Sequence, residues 1–468
     1  MNSKVQGVSE KVYKEAKYEK WKFFFLSVLF FFIIGSYTLM RDLKNSVFPA
    51  LVGKEYIPMC RLIVLFLLVP GILLYSKIVD KVKRYYLLSI YSLFFAVGCL
   101  ILAFFIGHPT IGIANTNQSP WRLFGWVFYF FTEGFSPFLL SVFWAFSNSI
   151  SKPEGAKKNY AWVIAASKIG GMLTAGSAWA LFTFTSFPIF GKISDVTKIQ
   201  LVLFFASLFL FAIPIAIAFL IRIVPGKYLH GYEAVYKIER TKKKEGKLQT
   251  SVWAGLRMLL RYPYVLGIFA MIFFYEVLNS ILSYLRIVVA QKEAAGSIGV
   301  ASAFLFKWVF FMHVIGLIIS VVGTSSLLRL LGTRTCVFLI PVIMGLVVFC
   351  FVASNSAVVM MIAFTGMKAI HYAFSKPVVE SLYIPTLKEI KFKSKSWIDA
   401  FGSKLAKGTG SVFNLVAGSV RPVLFLPLYS FFFAVIIGVW VIASFFLGRR
   451  FENAVNANEA IGTQEENI

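Results

Sequence analysis

Apolar residues in this chain arrive in blocks long enough to cross a bilayer. A helix spans the hydrocarbon in roughly 20 residues, because only internal hydrogen bonding satisfies its backbone there. The pattern predicts spans at 22–46, 57–76, 85–107, 121–148, 160–182 and 199–223, then at 263–289, 300–323, 335–353, 357–384, 397–419 and 423–447. The connecting segments test this count independently, since Lys and Arg collect in cytoplasmic loops. Basic residues mark the N-terminus, Lys77 to Arg84, Lys152 to Lys158, the 225–262 segment, Arg329 with Arg334, Lys388 to Lys395, and Arg449-Arg450. The alternate loops are poor in cations: His108 to Pro120 has none, Lys54 and Lys292 each adjoin a Glu, and Lys192, Lys198 and Arg421 stand alone. Both termini are therefore expected in the cytoplasm.

The longest polar stretch, 225–262, has KIERTKKKEGK at its middle and divides the spans into two sets of six. A weak echo relates the halves: eleven residues after Lys157 and after Lys393, Ser-Lys pairs end at Lys168 and Lys404. Parallel six-helix repeats are the architecture of major-facilitator-type transporters. The expected fold is an all-α polytopic membrane protein with about twelve transmembrane helices in two six-helix bundles. Its divisions are a cytoplasmic N-terminus (1–21), an N-terminal bundle (22–224), a cytoplasmic linker (225–262), a C-terminal bundle (263–447) and a cytoplasmic tail (448–468).

Composition agrees with this picture and changes the meaning of the charge. Of 468 residues, 58% are hydrophobic and 51 are Phe, well above the roughly 45–50% apolar share of soluble domains. The net charge of +26 would suggest nucleic acid on a soluble protein. Here it reads as topogenic cations facing anionic lipid, and no nucleic-acid partner is expected. The N-terminal MNSKVQGVSEKVYKEAKYEKWK mixes Glu10, Glu15 and Glu19 with its lysines. It reads as a cytoplasmic lead-in and as neither a signal nor a transit peptide. Cys60, Cys99, Cys336 and Cys350 lie singly in apolar stretches, with no ligand spacing that predicts a metal site or disulfide.

Ionisable residues inside spans are the candidate chemistry, because each costs roughly 2.5–3.5 kcal/mol at mid-bilayer on insertion scales. Within or at the ends of spans stand Arg41, Asp42, Lys44, Arg61, Glu133, Lys168, Glu276, Arg286, Lys307, Lys368, Lys376, Glu380, Asp399, Lys404 and Lys407. Lys307, Lys368 and Lys407 read as cations snorkelling to the interface. Cations outnumber acids, which suits a multiply charged anion, and the planar fork of Arg suits phosphate oxygens. Interhelical ion pairs that gate the two halves are the alternative for any single residue, and a pair that opens when substrate arrives satisfies both readings. Tyr37, Tyr129, Trp144, Tyr275 and Trp308 are candidates to stack on a base or, more ordinarily, to pack or face lipid. The nearest approach to a P-loop, Gly402 to Gly410, lacks the GKS/T ending. Transport is then expected to run on gradients or exchange, without a cofactor and without an enzymatic reaction.

Several segments match a known pattern. Tyr37-Thr-Leu-Met-Arg41-Asp42-Leu-Lys44 looks like YTILRDTKD, and Ile57-Pro-Met-Cys-Arg61 like IPFLK with Arg for Lys. Glu133-Gly-Phe and Phe143-Trp-Ala-Phe-Ser-Asn148 look like AELWG and FWGFAN, and Ala156-Lys-Lys-Asn-Tyr160 like EAKRFY. Glu380-Ser-Leu-Tyr-Ile-Pro-Thr386 and Lys391-Phe-Lys-Ser-Lys-Ser-Trp-Ile-Asp399 are similar to KEMLYIPT and KFKAKSWID. These strings resemble the ATP/ADP translocases, the nucleotide transporters of plastids and obligate intracellular bacteria, and the resemblance runs from about residue 23 to 445.

The resemblance implies exchange of nucleotides, with ATP imported against ADP plus phosphate. It also implies that Arg61 stands for a functional lysine and Glu133 for a functional glutamate. In the family's NLVEVTWK, Asn279 and Arg286 align with Asn and Lys, but Leu282 replaces Glu; Val379 replaces the lysine before Glu380. Glu276 lies six residues from Leu282, roughly 240° around the helix, and points elsewhere. Losing one acid and one base leaves room for another nucleotide, for NAD, or for proton-coupled import. A carrier of a non-nucleotide organic anion, or a scaffold or pore without a transport cycle, completes the alternatives.

The expected substrate-binding set is Arg41, Lys44, Arg61, Glu133, Asn148, Lys168, Asn279, Arg286, Glu380 and Lys404. Its cations would neutralise the phosphate tail, Asn148 and Asn279 would contact base or ribose, and Glu133 and Glu380 would pair with cations in the empty state. Neutralising Arg61 or Glu133 is expected to abolish transport with insertion intact. The partners are then ATP, ADP and the bilayer, the protein a monomer, and the location a bacterial inner membrane.

Overall fold

The computed structural model describes residues 2–67, 84–151, 153–184, 186–187, 191–229, 252–322, 324–354, 356–386, 394–395, 397–398, 402–459 and 461. The middle of the 225–262 linker, nearly all of the Lys77 to Arg84 run, Lys388 to Lys393 and Asp399 lie outside them.

The described chain is almost wholly helical. The helices are α1 (Asn2–Leu51), α2 (57–67), α3 (Arg84–Ile106), α4 (Leu123–Ile150), α5 (Pro153–Thr183), α6 (Asp195–Ile223), α7 (Val252–Arg261), α8 (Pro263–Glu293), α9 (Ile298–Val322), α10 (Thr324–Ser354), α11 (Ala357–Ser381), α12 (Ser403–Gly418) and α13 (Pro422–Asn456). Nine of them, among the described residues, are long and apolar enough to cross a membrane: α1, α3, α4, α6, α8, α9, α10, α11 and α13. The other three expected spans also hold helix. For α2 only 57–67 is described, α5 is diluted by small and polar residues, and α12 has 16 residues.

The first helix departs from the expected 22–46 span, since it begins at Asn2. Its lead-in is rich in Lys, Glu and Ala, which have high helix propensity, so the amphiphilic lead-in and the span form one helix. A two-residue antiparallel hairpin, Ser186–Phe187 with Gly191–Lys192, joins α5 to α6. In α10 the backbone turns at Gly332, whose φ of 74° lies in the left-handed region that glycine enters without cost.

Two compact units form. The first comprises Met1–Gly53, Leu67–Leu248 and Glu293–His313; the second comprises Lys54–Phe66, Gln249–Lys292 and Val314–Ile468. Each takes in a short segment from the other half of the sequence.

In the first unit α1 is the central helix, with Leu26, Leu29, Ile33, Leu43 and Val47 fully buried. Gly170 of α5 lies against the Phe31 carbonyl with no room for a side chain, so α1 and α5 meet backbone to backbone. Polar ties fix the register of neighbouring helices. Ser207 donates to the Ala96 carbonyl at 2.9 Å, and Ser302 to Ser46 at 2.7 Å.

In the second unit, Gly410 of α12 abuts the Val277 carbonyl and Ser280 of α8. The buried Trp440 of α13 donates to the Met271 sulfur of α8 at 3.2 Å, and Tyr264 of α8 donates to the Leu382 carbonyl at 2.6 Å. Large apolar side chains such as Phe104, Ile215, Leu346, Phe431 and Phe446 face outward from both units, as lipid-facing surfaces do. Among them, internal hydroxyls such as Ser36, Thr132 and Thr174 bond back to carbonyls one turn earlier.

Two spans widen locally. In α4 the residues Ser136–Leu140 form a π turn that includes Pro137, and in α11 His371–Ser375 form another just ahead of Pro377. Proline has no N–H to give, and a wider turn redistributes the remaining donors.

Candidate functional site

In the first unit the candidate residues gather on two turns of α1 and the facing side of α4. Lys44 is buried, its side chain 4% exposed, and forms an ion pair with Glu133, which is 32% exposed. The same ammonium sits 4.4 Å from the ring centre of Tyr129, one turn before Glu133 on α4. Carboxylate and aromatic face together hold a charge that could not otherwise stay out of water.

One turn earlier, Arg41 bonds the fully buried Asp42 through Nη2 at 2.7 Å and Nε at 3.1 Å. Its guanidinium lies 5.4 Å from the Tyr37 ring, which stacks on Phe135. The half-buried Lys168 of α5 acts electrostatically on His313, as do Arg41 and Asp42. The imidazole of His313 contacts Thr38 at 3.4 Å and packs against Gly171. Asn148 stands apart from these charges: it is exposed near the end of α4, and its side-chain oxygen accepts from the Tyr160 hydroxyl at 2.7 Å.

In the second unit, Arg61 of α2 donates to the Ser280 carbonyl at 2.7 Å and to Ser283 Oγ at 3.1 Å, both on α8. Arg286, 3% exposed, faces the Phe364 ring at 4.8 Å. Asn279 donates to Glu276 at 2.9 Å. Glu380 pairs with Lys395 at 2.5 Å in a more exposed setting. Lys404 is half-buried in the first turn of α12, and its charge bears on Glu276.

The ten expected residues thus divide five and five. Arg41, Lys44, Glu133, Asn148 and Lys168 lie in the first unit; Arg61, Asn279, Arg286, Glu380 and Lys404 lie in the second. Leu282 is fully buried and Val379 nearly so, which leaves apolar packing where the resembling family has an acid and a base.

Two lysines differ from their expected role. Lys407 does not merely reach for an interface: its ammonium lies 3.7 Å from Glu276. Lys368 packs over Phe364 and Tyr372 at 5.9 and 5.4 Å and also bears on Glu276. The sequence signal was present in three lysines within apolar runs facing one acid, but helices distant in sequence had to be brought together before it became a cluster. The roles of Tyr129 and His313 as neighbours of charge depend on the same packing of separate helices.

Outside the spans, Arg122 organises the loop before α4. It donates to the carbonyls of Ile111, Gly112, Asn115 and Asn117 at 2.8, 2.5, 2.7 and 3.1 Å. Burial lowers its pKa from the usual arginine value, yet a guanidinium stays charged at any physiological pH. None of the four cysteines is joined in a disulfide among the described residues, and no group of three described His, Cys, Asp or Glu side chains is placed to hold a metal ion.

A buried cation in a spanning helix, flanked by an aromatic face and a displaceable carboxylate, can receive an anion without first shedding a full hydration shell. Comparison with known proteins gives this arrangement a context. The family model described as TLC ATP/ADP transporter matches residues 1–451. A relative from Chlamydia trachomatis, "ADP,ATP carrier protein 1", is 26% identical over 92% of this chain and 89% of its own length. Among solved structures, the D-xylose–proton symporter superposes with a TM-score of 0.61 at 16% identity, covering 90% of this chain and 95% of that one. The major facilitator superfamily transporter FucP does so with a TM-score of 0.50 at 16% identity, covering 92% and 98%. The fold is therefore of the major-facilitator type.

Proposed function

We propose, from the premise that this chain belongs to the TLC ATP/ADP transporter family, that it exchanges nucleotides across a membrane, importing ATP against ADP plus phosphate. It is a multi-pass membrane transporter and not an enzyme. The observation that carries the nucleotide reading is the sinking of Lys44 and Arg286, both nearly inaccessible, into helices of membrane-spanning length. A cation in that position costs several kcal/mol and marks a functional site, and an anion with several charges is the ligand chemistry that offsets such a cost in either unit.

In this reading Arg41, Lys44, Arg61, Lys168, Arg286 and Lys404 neutralise phosphate oxygens, and Asn148 and Asn279 contact base or ribose. Glu133 and Glu380 hold cations while substrate is absent, as their pairing with Lys44 and Lys395 allows. Exchange then follows from alternating access, because the charged site changes conformation at lowest cost when it is neutralised by one substrate or the other. The basic runs after every second span support cytoplasmic termini. The bacterial origin of the curated relative supports a bacterial cell membrane. The protein acts as a monomer.

Uptake of radiolabelled ATP into cells expressing the protein, with preloaded ADP and competing GTP, UTP and NAD, tests this reading. Acceleration by internal ADP with competition by adenine nucleotides alone supports it; no nucleotide uptake refutes it. The buried Leu282 and Val379 favour a second reading, in which another nucleotide or NAD is carried, with or without proton coupling. An uptake that a proton uncoupler abolishes would establish that one.

A further inference from the structure

Glu276 stands three residues before the segment that resembles NLVEVTWK, inside a helix of membrane-spanning length. It lies thirteen residues into the 31-residue α8 (276 − 263), roughly 20 Å along the helix at 1.5 Å per residue, and so far from either end. Its Oε2 accepts from Asn279 at 2.9 Å and lies 3.7 Å from Lys407 Nζ. Lys368 of α11 and Lys404 of α12 also act on the carboxylate. One ammonium from α12 therefore stands beside an acid carried by α8, and the charges of two further lysines, on α11 and α12, bear on it.

The geometry of this cluster is that of a site with an inner and an outer side. The Glu276 side chain is 16% exposed and that of Lys407 is 41% exposed, so an arriving anion meets ammonium before carboxylate. The gap of 3.7 Å exceeds a direct N–H to O bond. Lys407 and Glu276 attract each other without being locked together, and such a contact can be exchanged for a better one.

The backbone holding Lys407 is nonetheless fixed. Its carbonyl accepts from Ser280 at 3.0 Å and from Ser411 at 2.8 Å, and Gly410 brings α12 directly against α8. Beside the charges, the buried side-chain oxygen of Asn279 has no hydrogen-bond partner among the described residues. An acceptor left without a donor in a low-dielectric site is costly unless a ligand supplies the donor. Cations with one open acceptor describe an organic phosphate, whose sugar hydroxyl or base amine serves Asn279 while its phosphates engage the lysines.

We propose that Lys368, Lys404 and Lys407 hold the phosphate chain of the transported nucleotide, and that Glu276 is the internal anion which that chain displaces and which later expels it. This rests on the nucleotide reading above. Leu282 and the departed carboxylate then need no replacement on the same face of α8. Glu276 supplies an acid from a neighbouring face, where lysines of α11 and α12 surround it.

The test uses the purified full-length protein with two probes, ATP and inorganic tripolyphosphate, in equilibrium binding, and ATP and AMP as substrates for exchange in liposomes. K407Q should weaken tripolyphosphate and ATP binding by about tenfold or more, while AMP, with fewer charges, loses at most about threefold. K407R should restore most of the affinity. E276Q should tighten binding of both probes and slow exchange, because the competitor that ejects the bound anion is gone. A merely structural role for Glu276 would instead weaken everything together. Unchanged ATP and tripolyphosphate affinity in folded K407Q and E276Q overturns this proposal and leaves nucleotide exchange standing. Tripolyphosphate binding that is lost in K407Q, in a protein that exchanges no nucleotide, supports the anion site and overturns the nucleotide reading.

Discussion

Removing the carboxylate beside Lys44 isolates a charge inside the protein, and the consequence can be worked from the structure. Glu133→Gln leaves an ammonium whose side chain is only 4% exposed. Breaking a buried pair in this way costs about 3–5 kcal/mol. Two features reduce that figure. Glu133 is one-third exposed, so water already weakens the attraction, and the Tyr129 face at 4.4 Å goes on stabilising the ammonium by roughly 1 kcal/mol. A loss of about 2 kcal/mol is expected for E133Q, and a similar loss for K44M, which strands the acid.

The double variant K44M/E133Q removes both charges and should fall within about 1 kcal/mol of the wild type. The resulting coupling energy, two single losses of about 2 kcal/mol each less a double loss of at most about 1 kcal/mol, is about 3 kcal/mol or more and is read from denaturant unfolding of the four proteins in detergent. ATP exchange measured in liposomes gives a different order: all three variants are inactive, because K44M and the double variant lack the cation that receives phosphate and E133Q lacks the carboxylate that takes the cation back. A coupling below about 0.5 kcal/mol would mean the pair is not formed in the resting protein. Exchange by the double variant at the wild-type rate would remove Lys44 and Glu133 from the binding assignment.

Further outcomes follow from other contacts. Arg61→Gln loses two bonds to α8 and should abolish ATP exchange at wild-type expression. Arg61→Lys keeps the charge but lacks the fork that reaches both acceptors, and should retain partial activity. Arg122→Ala removes four carbonyl contacts from the 111–117 loop. It should speed amide exchange there by about tenfold or more, with helix protection unchanged. Gly410→Val places a side chain where Ser280 and the Val277 carbonyl leave no room, and should cost about 1–3 kcal/mol in detergent unfolding.

The spans were legible because a bilayer imposes one requirement, a long apolar helix, that a single stretch of chain meets by itself. Among the described residues, helix occurs within each of the twelve expected spans, and the short α7 stands in addition. The ion-bearing turns of α1 and α4 were legible for a related reason, since charges inside such stretches are rare enough to name individually. What escaped were relations between helices. Nothing in the segment around Lys407 announces that its ammonium faces Glu276, 131 positions earlier (407 − 276). Helical rotation places Glu276 away from Leu282, but a wheel drawn for α8 alone cannot show that Lys407 of α12 stands 3.7 Å from its carboxylate. The reach of Arg61 to Ser280 and Ser283 is similarly a fact of tertiary packing. The N-terminal helix was hidden by a narrower cause, because hydropathy reports where lipid begins and is silent on whether the polar lead-in is also helical.

The wide turns in α4 and α11 carry a consequence for how these helices are aimed. A π turn accommodates one additional residue in the coil, and each residue of α-helix corresponds to about 100° of rotation. The insertion acts as a phase shifter: everything after Leu140 is rotated by about that angle relative to an uninterrupted continuation from Glu133. The ion-bearing part of α4 and its aromatic part, with Phe143 and Trp144, are thereby oriented separately within one rod. The same holds across His371–Ser375 in α11, with Lys368 on one side and Glu380 on the other. A helical wheel continued through either turn assigns the wrong azimuth to half of the helix. Deleting one residue from the turn would swing that half round while its composition, length and hydropathy stayed nearly the same.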